Sequence, residues 1–263
     1  DLVRSRGLGD VYKRQLVQIY TASENRLALQ ELLPEAIISC YDSYDDNQLS
    51  RLLDWADVVC IGCGLGMGQI SEKILKNVLK NVSCPCVIDA DGLNLLNGKI
   101  ELLNQCRAPV ILTPHMKEMS RLTGWSIDKI MEDRFQALDQ IIKQSGPDTK
   151  SSIICVLKDS RTVVAQTNRQ KFVNLAGNNS MAKGGSGDVL AGTIAGLLAQ
   201  HMAPFEAAAV GVFLHACGGD EAKKSKGSYS VLARDLIQGM ADAMKNAKAV
   251  SYTHLRAHET VLD

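Results

Sequence analysis

Short runs of β-branched and other apolar residues alternate with longer amphipathic stretches along most of this chain. Residues 58–61 and 153–156, for example, are apolar at every position, which is typical of parallel strands buried on both faces. Strands that alternate with helices indicate βαβ units. The sequence therefore predicts an α/β fold in three layers, with a mostly parallel central sheet and helices on both of its faces.

The periodicity predicts the individual elements. The predicted strands cover residues 16–20, 36–40, 58–62, 86–89, 110–113, 153–158 and 162–165. The predicted helices cover residues 23–31, 49–55, 67–77, 92–97, 117–122, 127–144, 186–199, 204–224 and 233–247. Because neither a repeat nor a Pro/Gly/Ser-rich linker interrupts this order, we expect one domain.

The two ends of the chain differ from everything between them. Residues 1–15 and 250–263 show no clear strand or helix periodicity, and they resemble peptides translated from sequencing-adaptor DNA. Flexible tails are the alternative interpretation. We therefore assign the domain to residues 16–249 and leave both ends out of the fold, so that His254 and His258 are not considered as metal ligands.

The composition excludes several classes of partner. Lysine and arginine together number 29, equal to aspartate plus glutamate, and such a balance gives no support to nucleic-acid or membrane-surface binding. No apolar run approaches the roughly 18–20 residues of a membrane span. Cys60 and Cys63 form a C-x-x-C pair, but a zinc site would need a second suitable pair. Free thiols without a signal peptide predict a cytoplasmic protein.

A glycine-rich turn carries the strongest functional signal. Gly184, Gly185, Ser186 and Gly187 directly precede Asp188, where a helix is predicted to begin. Backbone N–H groups at such a turn, together with the positive end of the helix dipole, predict an anion hole suited to a phosphate. Asp188 would accept a proton from a hydroxyl that attacks a phosphoryl group. The alternative is that Ser186 and Asp188 only cap the helix.

Other predicted strand ends carry residues that bind ligands. A glycine loop at residues 62–66 follows one strand, which brings backbone close to a ligand. Asp89 and Asp91 follow the next buried strand, while His115 and Glu118 follow a third. The three carboxylates are candidate ligands of Mg²⁺, although no metal site is assigned to them. For Asp91, a helix cap is an equal alternative.

A turn between two predicted strands combines cationic and hydroxyl side chains. It contains Lys158, Asp159, Ser160, Arg161 and Thr162. Ammonium, guanidinium and hydroxyl groups together suit a nucleotide phosphate or ribose. The alternative is a charged hairpin turn.

Five segments, in this order, carry a family resemblance. They are Gly-Cys-Gly-Leu-Gly at 62–66, Asp-Ala-Asp-Gly-Leu-Asn at 89–94, Thr-Pro-His-Met-Lys-Glu at 113–118, Lys-Asp-Ser-Arg-Thr at 158–162, and the stretch 177–188 that ends in Gly-Gly-Ser-Gly-Asp. Together they resemble the ADP/ATP-dependent NAD(P)H-hydrate dehydratases of the ribokinase-like superfamily. The resemblance covers nearly all of the chain between its two ends.

The resemblance implies roles for individual residues. Hydrated nicotinamide would contact Gly66, His115 and Asp188, and Asp188 would be catalytic. The adenine nucleotide would contact residues 158–162 and Gly187.

The resemblance also implies an activity and its partners. A ring hydroxyl of the NAD(P)H hydrate would be phosphorylated by ADP (ATP in some members) with Mg²⁺, and phosphate would then be eliminated to restore NAD(P)H and release AMP. An epimerase acting on the same substrate is a candidate partner, and a homo-oligomer, often a tetramer, is implied. The family begins with a further βα unit, so roughly 30 residues would be missing here.

The chain departs from the family pattern at several positions. Cys63 replaces proline, Met116-Lys117 replaces Pro-Gly, Asp159 replaces glycine, and Asn179-Ser180 replaces a Pro-Gly-like pair. Asp159 places a negative charge beside the predicted phosphate site, which should weaken nucleotide binding unless its side chain turns away.

Two other functions remain open from the sequence. A hydroxyethylthiazole or hydroxymethylpyrimidine kinase of the same superfamily would share the Gly-Asp turn but release a phosphorylated product. An inactive nucleotide-binding protein is the alternative from another class.

Overall fold

The computed structural model describes residues 2–7, 15–144, 152–166 and 171–259, and within them nine strands form one sheet. The strands are β1 (Leu2–Gly7), β2 (Gln15–Ala22), β3 (Ile37–Tyr41), β4 (Val58–Ile61), β5 (Cys86–Ile88), β6 (Val110–Leu112), β7 (Ile153–Leu157), β8 (Val163–Gln166) and β9 (Lys171–Val173). Their spatial order is β3-β2-β1-β4-β5-β6-β7-β8-β9. All except β1 and β8 run in one direction, which confirms the mostly parallel α/β sheet.

Helices lie between the strands and continue after the last of them. They are α1 (Arg26–Leu32), α2 (Asp46–Trp55), α3 (Gln69–Asn81), α4 (Ala90–Leu95), α5 (Met116–Thr123), α6 (Ile127–Glu132), α7 (Arg134–Gln144), α8 (Ser186–Leu198), α9 (Pro204–Lys226) and α10 (Ala233–Glu259). Short 3-10 turns cover Ser23–Asn25, Ile100–Gln105 and Asn179–Met181. Within the described residues, no helix combines the length and apolar character that crossing a bilayer requires.

Two apolar cores cover the two faces of the sheet. Along β4, Val59 and Ile61 pack in the core formed with α2, α3 and α7, whereas Val58 and Cys60 pack in the core formed with α8 and α9. Successive side chains of a strand point to opposite faces, so a strand without polar positions must be covered on both sides. This arrangement confirms the three predicted layers.

The predicted helix over residues 127–144 is wrong at its centre. It is divided into α6 and α7 at Asp133, whose φ of −142° and ψ of 86° are not helical. The carboxylate of Asp133 accepts a hydrogen bond from the N–H of Gln136 at 2.9 Å. An aspartate at this position caps the second helix and stabilises the break.

Two elements of the structure lie within the predicted ends. Leu2–Gly7 pairs antiparallel with both β2 and β4, where a gap would leave two rows of backbone polar groups unpaired. Helix α10 continues to Glu259. The adaptor origin of the two ends stays a prediction, and residues 1, 8–14 and 260–263 lie outside the described part of the chain.

Glycines allow the last three helices to pack closely. A Cβ atom on Gly211 of α9 would lie 2.7 Å from the side chain of Ile194 in α8, and one on Gly239 of α10 would lie 2.1 Å from the carbonyl oxygen of Gly218 in α9. Real Cβ atoms do not approach backbone so closely. The helix pair α9–α10 therefore depends on glycine at position 239.

We expect Gly239→Ala to lower the free energy of unfolding by about 1–3 kcal/mol, because the added methyl group must push two helices apart. The urea midpoint of the purified protein measures this. Gly192→Ala is the matched control, since Gly192 is an exposed α8 residue and its Cβ would meet no atom within 4 Å. An equal loss in both variants would contradict the packing argument.

Candidate active site

Four parallel strands bring their carboxyl ends to one edge of the sheet. Main-chain hydrogen bonds join the segments that follow them. The N–H of Asp89 donates to Ile61 at 3.0 Å, and the N–H of Lys158 donates to Pro114 at 2.8 Å. The ligand-binding edge of an open α/β sheet is its carboxyl edge. The candidate residues after β4, β5, β6 and β7 are therefore neighbours in space.

Gly62 allows the ends of β4 and β5 to touch. Its φ is +121°, and a Cβ atom there would lie 1.8 Å from the carbonyl oxygen of Asp89. Only glycine fits such a position. The turn then places Gly66 so that its N–H donates to the carboxylate of Asp91 at 2.8 Å. Asp91, which the sequence offered as a possible magnesium ligand, thus uses its carboxylate to hold the glycine loop.

A buried ion pair lies at the centre of the site. The ammonium of Lys158 is 2.6 Å from Oδ1 of Asp89, and the two side chains are only 18% and 1% exposed. Gly187 lies directly over this pair, because a Cβ atom on it would be 3.1 Å from Nζ of Lys158 and 3.5 Å from Oδ2 of Asp89. The pair leaves one cationic group facing the glycine turn, which suits a bound phosphate.

The predicted anion hole forms the start of α8. Gly185 has a φ of +86° and precedes the first helical residue, Ser186. Ser186 uses its own donors within the turn, since its hydroxyl donates to Met181 at 2.7 Å and its N–H donates to Lys183 at 3.2 Å. It therefore braces the turn. First-turn N–H groups, such as that of Gly187, have no acceptor inside their own helix and can bind an anion.

Asp188 is exposed in the first turn of α8 and lies beside two other polar groups. One ligand atom from each of Cys63, Asp89 and Asp188 lies within 4.8 Å of the others. Among the candidate magnesium ligands, the structure thus brings Asp89 close to Asp188. Asp91 and Glu118 instead accept backbone hydrogen bonds.

Cys63 is a contact that the sequence analysis did not assign to the site. A hydrogen bond with Cys60, burial and the nearby carboxylates raise the pKa of the Cys63 thiol well above its usual range. A C-x-x-C pair at a strand end could have pointed to this position. The raised pKa keeps the thiol protonated at neutral pH in the metal-free protein, so it is a poor nucleophile there.

His115 begins α5 and forms a capping box with Glu118. Its Nδ1 accepts from the N–H groups of Lys117 and Glu118 at 3.1 and 3.2 Å, while Glu118 accepts from the N–H of His115 at 2.8 Å. Since Nδ1 is an acceptor, we assign the proton of the neutral ring to Nε2. Burial, followed by the charge of Lys158, lowers the pKa of His115, so the ring is neutral, and its Nε2 lies 3.4 Å from Oε1 of Glu118.

The negative charge of Asp159 is paired away from the site. Its carboxylate lies 2.7 Å from the guanidinium of Arg134 at the start of α7. Thr162 donates to the carbonyl oxygen of Asp159 at 3.2 Å, whereas Ser160 and Arg161 are exposed. The turn that was predicted to contact the nucleotide therefore offers two free side chains, and Arg134 compensates the departure from the family pattern.

Two residues of α9 support the glycine turn and were not found from the sequence. Asp220 accepts from the side chain of Asn178 at 2.8 Å and from the N–H of Gly177 at 3.2 Å. His215 is buried, with Nε2 lacking a hydrogen-bond partner among the described residues. Burial lowers the pKa of His215 to about 4, opposed by a hydrogen bond to the backbone of Ser186.

The buried His215 makes stability depend on pH. Its folded pKa of about 4 lies below the ordinary value of 6.5, so the unfolded chain binds the proton first on acidification. We expect His215 to remove up to about 3 kcal/mol of the free energy of unfolding as the pH falls from about 6.5 to 4. His215→Gln should flatten this slope in urea unfolding. His201→Asn, a change at an exposed histidine, should keep it, and the same slope in both variants would refute the assignment.

Comparison with known proteins identifies the family of this chain. The family model described as NAD(P)H-hydrate dehydratase matches residues 12–241. A bifunctional NAD(P)H-hydrate repair enzyme of Moorella thermoacetica is 38% identical over 201 residues, which is 76% of this chain and 37% of that protein. An ADP-dependent (S)-NAD(P)H-hydrate dehydratase of Neisseria meningitidis is 35% identical over 82% of this chain and 73% of its own length.

Solved structures show the same fold. The ADP/ATP-dependent NAD(P)H-hydrate dehydratase of Bacillus subtilis, co-crystallized with ATP/Mg²⁺ and soaked with CoA, superposes with a TM-score of 0.70 at 26% identity, covering 91% of this chain and 82% of that one. The chain therefore spans well under half of the Moorella relative but most of the solved domain. It belongs to the NAD(P)H-hydrate dehydratase family.

Proposed function

We propose that the chain dehydrates hydrated nicotinamide cofactor, (S)-NAD(P)H hydrate, back to NAD(P)H at the expense of ADP, with Asp188 as the catalytic base. The observation that carries this proposal is the position of Asp188. Its carboxylate lies in the first turn of α8, next to Gly187 and close to Asp89. A base adjoining a phosphate site is the arrangement that phosphoryl transfer to a hydroxyl requires.

The nucleotide side of the pocket is formed by Lys158 and the start of α8. The Lys158 ammonium lies close to Gly187, because a Cβ atom on that residue would be 3.1 Å from Nζ. Ser160, Arg161 and Thr162 stand at the adjoining turn and would hold ribose or the second phosphate. These donors fit an anionic nucleotide, and the Neisseria relative is named as ADP-dependent.

Mg²⁺ would be bound chiefly by the nucleotide's phosphates, as is usual for this ion. Asp89 and Asp188 offer carboxylate oxygens on the same side of the pocket. The Bacillus subtilis relative was co-crystallized with ATP/Mg²⁺, which supports the same requirement here.

The substrate side is formed by Gly66, His115 and Asp188. The neutral His115 ring would donate from Nε2 to a substrate oxygen, while the Gly66 loop is held in place by Asp91. Asp188 would accept the proton of the ring hydroxyl as that oxygen attacks the phosphoryl group. ADP supplies its terminal phosphoryl group and leaves as AMP. The C–O bond then breaks with the help of the ring nitrogen's lone pair, phosphate departs, and loss of a proton from the adjacent carbon restores the double bond.

The setting of the reaction follows from the same relatives. The Moorella relative is called bifunctional, and we propose an epimerase that acts on the same hydrate as a partner. Val210 and Phe213 of α9 are exposed at 42% and 51%, which supports a homo-oligomer, and we propose a tetramer.

All eight cysteines are free thiols, in keeping with a cytoplasmic location.

Asp188→Asn should lower the rate of NADH recovery at least about 100-fold, because an amide cannot accept the hydroxyl proton. Purified protein is incubated with hydrated NADH, ADP and Mg²⁺, and the NADH absorbance band is followed. ADP affinity, measured by calorimetry, should change little. A variant that keeps normal turnover would exclude Asp188 as the base.

Arg134→Met should weaken ADP binding by up to about 5-fold, since it leaves the Asp159 charge unpaired beside the phosphates. Asp159→Asn introduced into that variant should restore the affinity. If the double variant binds ADP as weakly as the single one, the Arg134–Asp159 pair does not protect the nucleotide site.

A further inference from the structure

Three side chains that can bind a metal meet beside the glycine turn. They are Cys63 after β4, Asp89 after β5 and Asp188 in α8, and one atom of each lies within 4.8 Å of the others. We propose that these three side chains form a binding site for a thiophilic divalent cation such as Zn²⁺. Mg²⁺ is not the expected occupant, because it prefers an octahedron of oxygen atoms.

The geometry suits three protein ligands and one open position. A tetrahedral zinc ion holds sulfur at about 2.3 Å and oxygen at about 2.0–2.2 Å, which places its ligand atoms about 3.5 Å apart. The present separations are at most 4.8 Å, so they exceed this spacing by about 1.3 Å or less. Asp188 is exposed, so its side chain can rotate inward. The fourth position would be open to solvent or to a phosphate oxygen.

The charges at the site also match a divalent cation. Asp89 and Asp188 carry two negative charges, and the Lys158 ammonium, bonded to Oδ1 of Asp89, compensates one of them. Binding through sulfur releases the thiol proton of Cys63 and adds a second net negative charge. Oδ2 of Asp89, the oxygen that faces Gly187, is the one in position to bind the ion while Lys158 keeps Oδ1.

Cys63 is the ligand that the family pattern lacks at this site. The residue lies partly buried against the core formed with α8, on the same side of the sheet as the start of that helix. Proline, the family residue at this position, has no side-chain donor. With the thiol removed, the two remaining carboxylates would bind zinc weakly, because carboxylate ligands alone are not selective for it.

Zinc at this site would inhibit the reaction, a consequence that rests on the proposed function. The ion would occupy the Asp188 carboxylate, so that Asp188 could not accept the hydroxyl proton. Zinc binding itself does not depend on that function and can be measured on the protein alone.

The direct experiment titrates the purified chain with Co²⁺, without nucleotide or substrate, and then displaces it with Zn²⁺. We expect a near-ultraviolet thiolate-to-cobalt charge-transfer band that Zn²⁺ removes and a large excess of Mg²⁺ does not. Cys63→Ala should abolish the band. Cys217→Ala, which changes a half-buried thiol on α9, should keep it. Absence of the band in the unmodified chain, or its persistence in Cys63→Ala, would overturn the proposal.

A second variant covers the possibility that Cys63→Ala does not fold. Asp188→Asn keeps the thiol but removes one oxygen ligand, so the band should remain while zinc affinity falls by more than the roughly 10–100-fold typical of an outer-shell residue. Unchanged zinc affinity in Asp188→Asn would also overturn the site.

Turnover separates the two proposals. In active protein, Zn²⁺ should inhibit NADH recovery and a chelator should reverse the inhibition, with Cys63→Ala losing this sensitivity. A cobalt band in protein that lacks turnover would contradict the proposed function and leave the metal site standing. Turnover without a band would do the reverse.

Discussion

The arrangement of the site depends on the ion pair between Lys158 and Asp89. These residues follow β7 and β5, which are separated in the sheet by β6, so the pair spans three strands. Asp89 is almost completely buried. Removing one partner of such a pair lowers the free energy of unfolding by about 3–5 kcal/mol, because the other charge stays buried without compensation. The pair therefore requires the strand ends to stay in register, and Gly187 leaves little room above it, since a Cβ atom there would lie 3.1 Å from Nζ of Lys158.

Supporting contacts hold the loops at this edge of the sheet in place. The carboxylates of Asp91, Glu118 and Asp220 each accept a backbone N–H in a neighbouring turn, so they position the loops. Asp188 remains exposed beside the proposed anion site. Most of the carboxylates around the proposed phosphate site therefore have partners of their own: three accept backbone hydrogen bonds, and Asp159 pairs with Arg134.

Much of the fold and of the site could be predicted because the signals are local. Apolar runs identified β2 to β8, and the glycines before Asp188 identified the start of α8. The Lys158–Asp89 pair joins residues 69 positions apart. A pattern within a short stretch of sequence cannot predict such a contact. The same holds for Arg134 with Asp159 and for Asp220 with Asn178. Strand β9 spans three residues of mixed polarity, too short for a periodicity, and the split at Asp133 depends on a single cap.

The central claim is that Asp188 accepts the proton of the ring hydroxyl while that hydroxyl is phosphorylated, and that elimination of phosphate follows. The most direct test counts products after purified chain is mixed with hydrated NADH, ADP and Mg²⁺. The account predicts that NADH, AMP and inorganic phosphate form in equal amounts. A phosphorylated product that accumulates without NADH would show a small-molecule kinase instead. Binding of ADP without any product would show a nucleotide-binding protein, and either result would contradict the account.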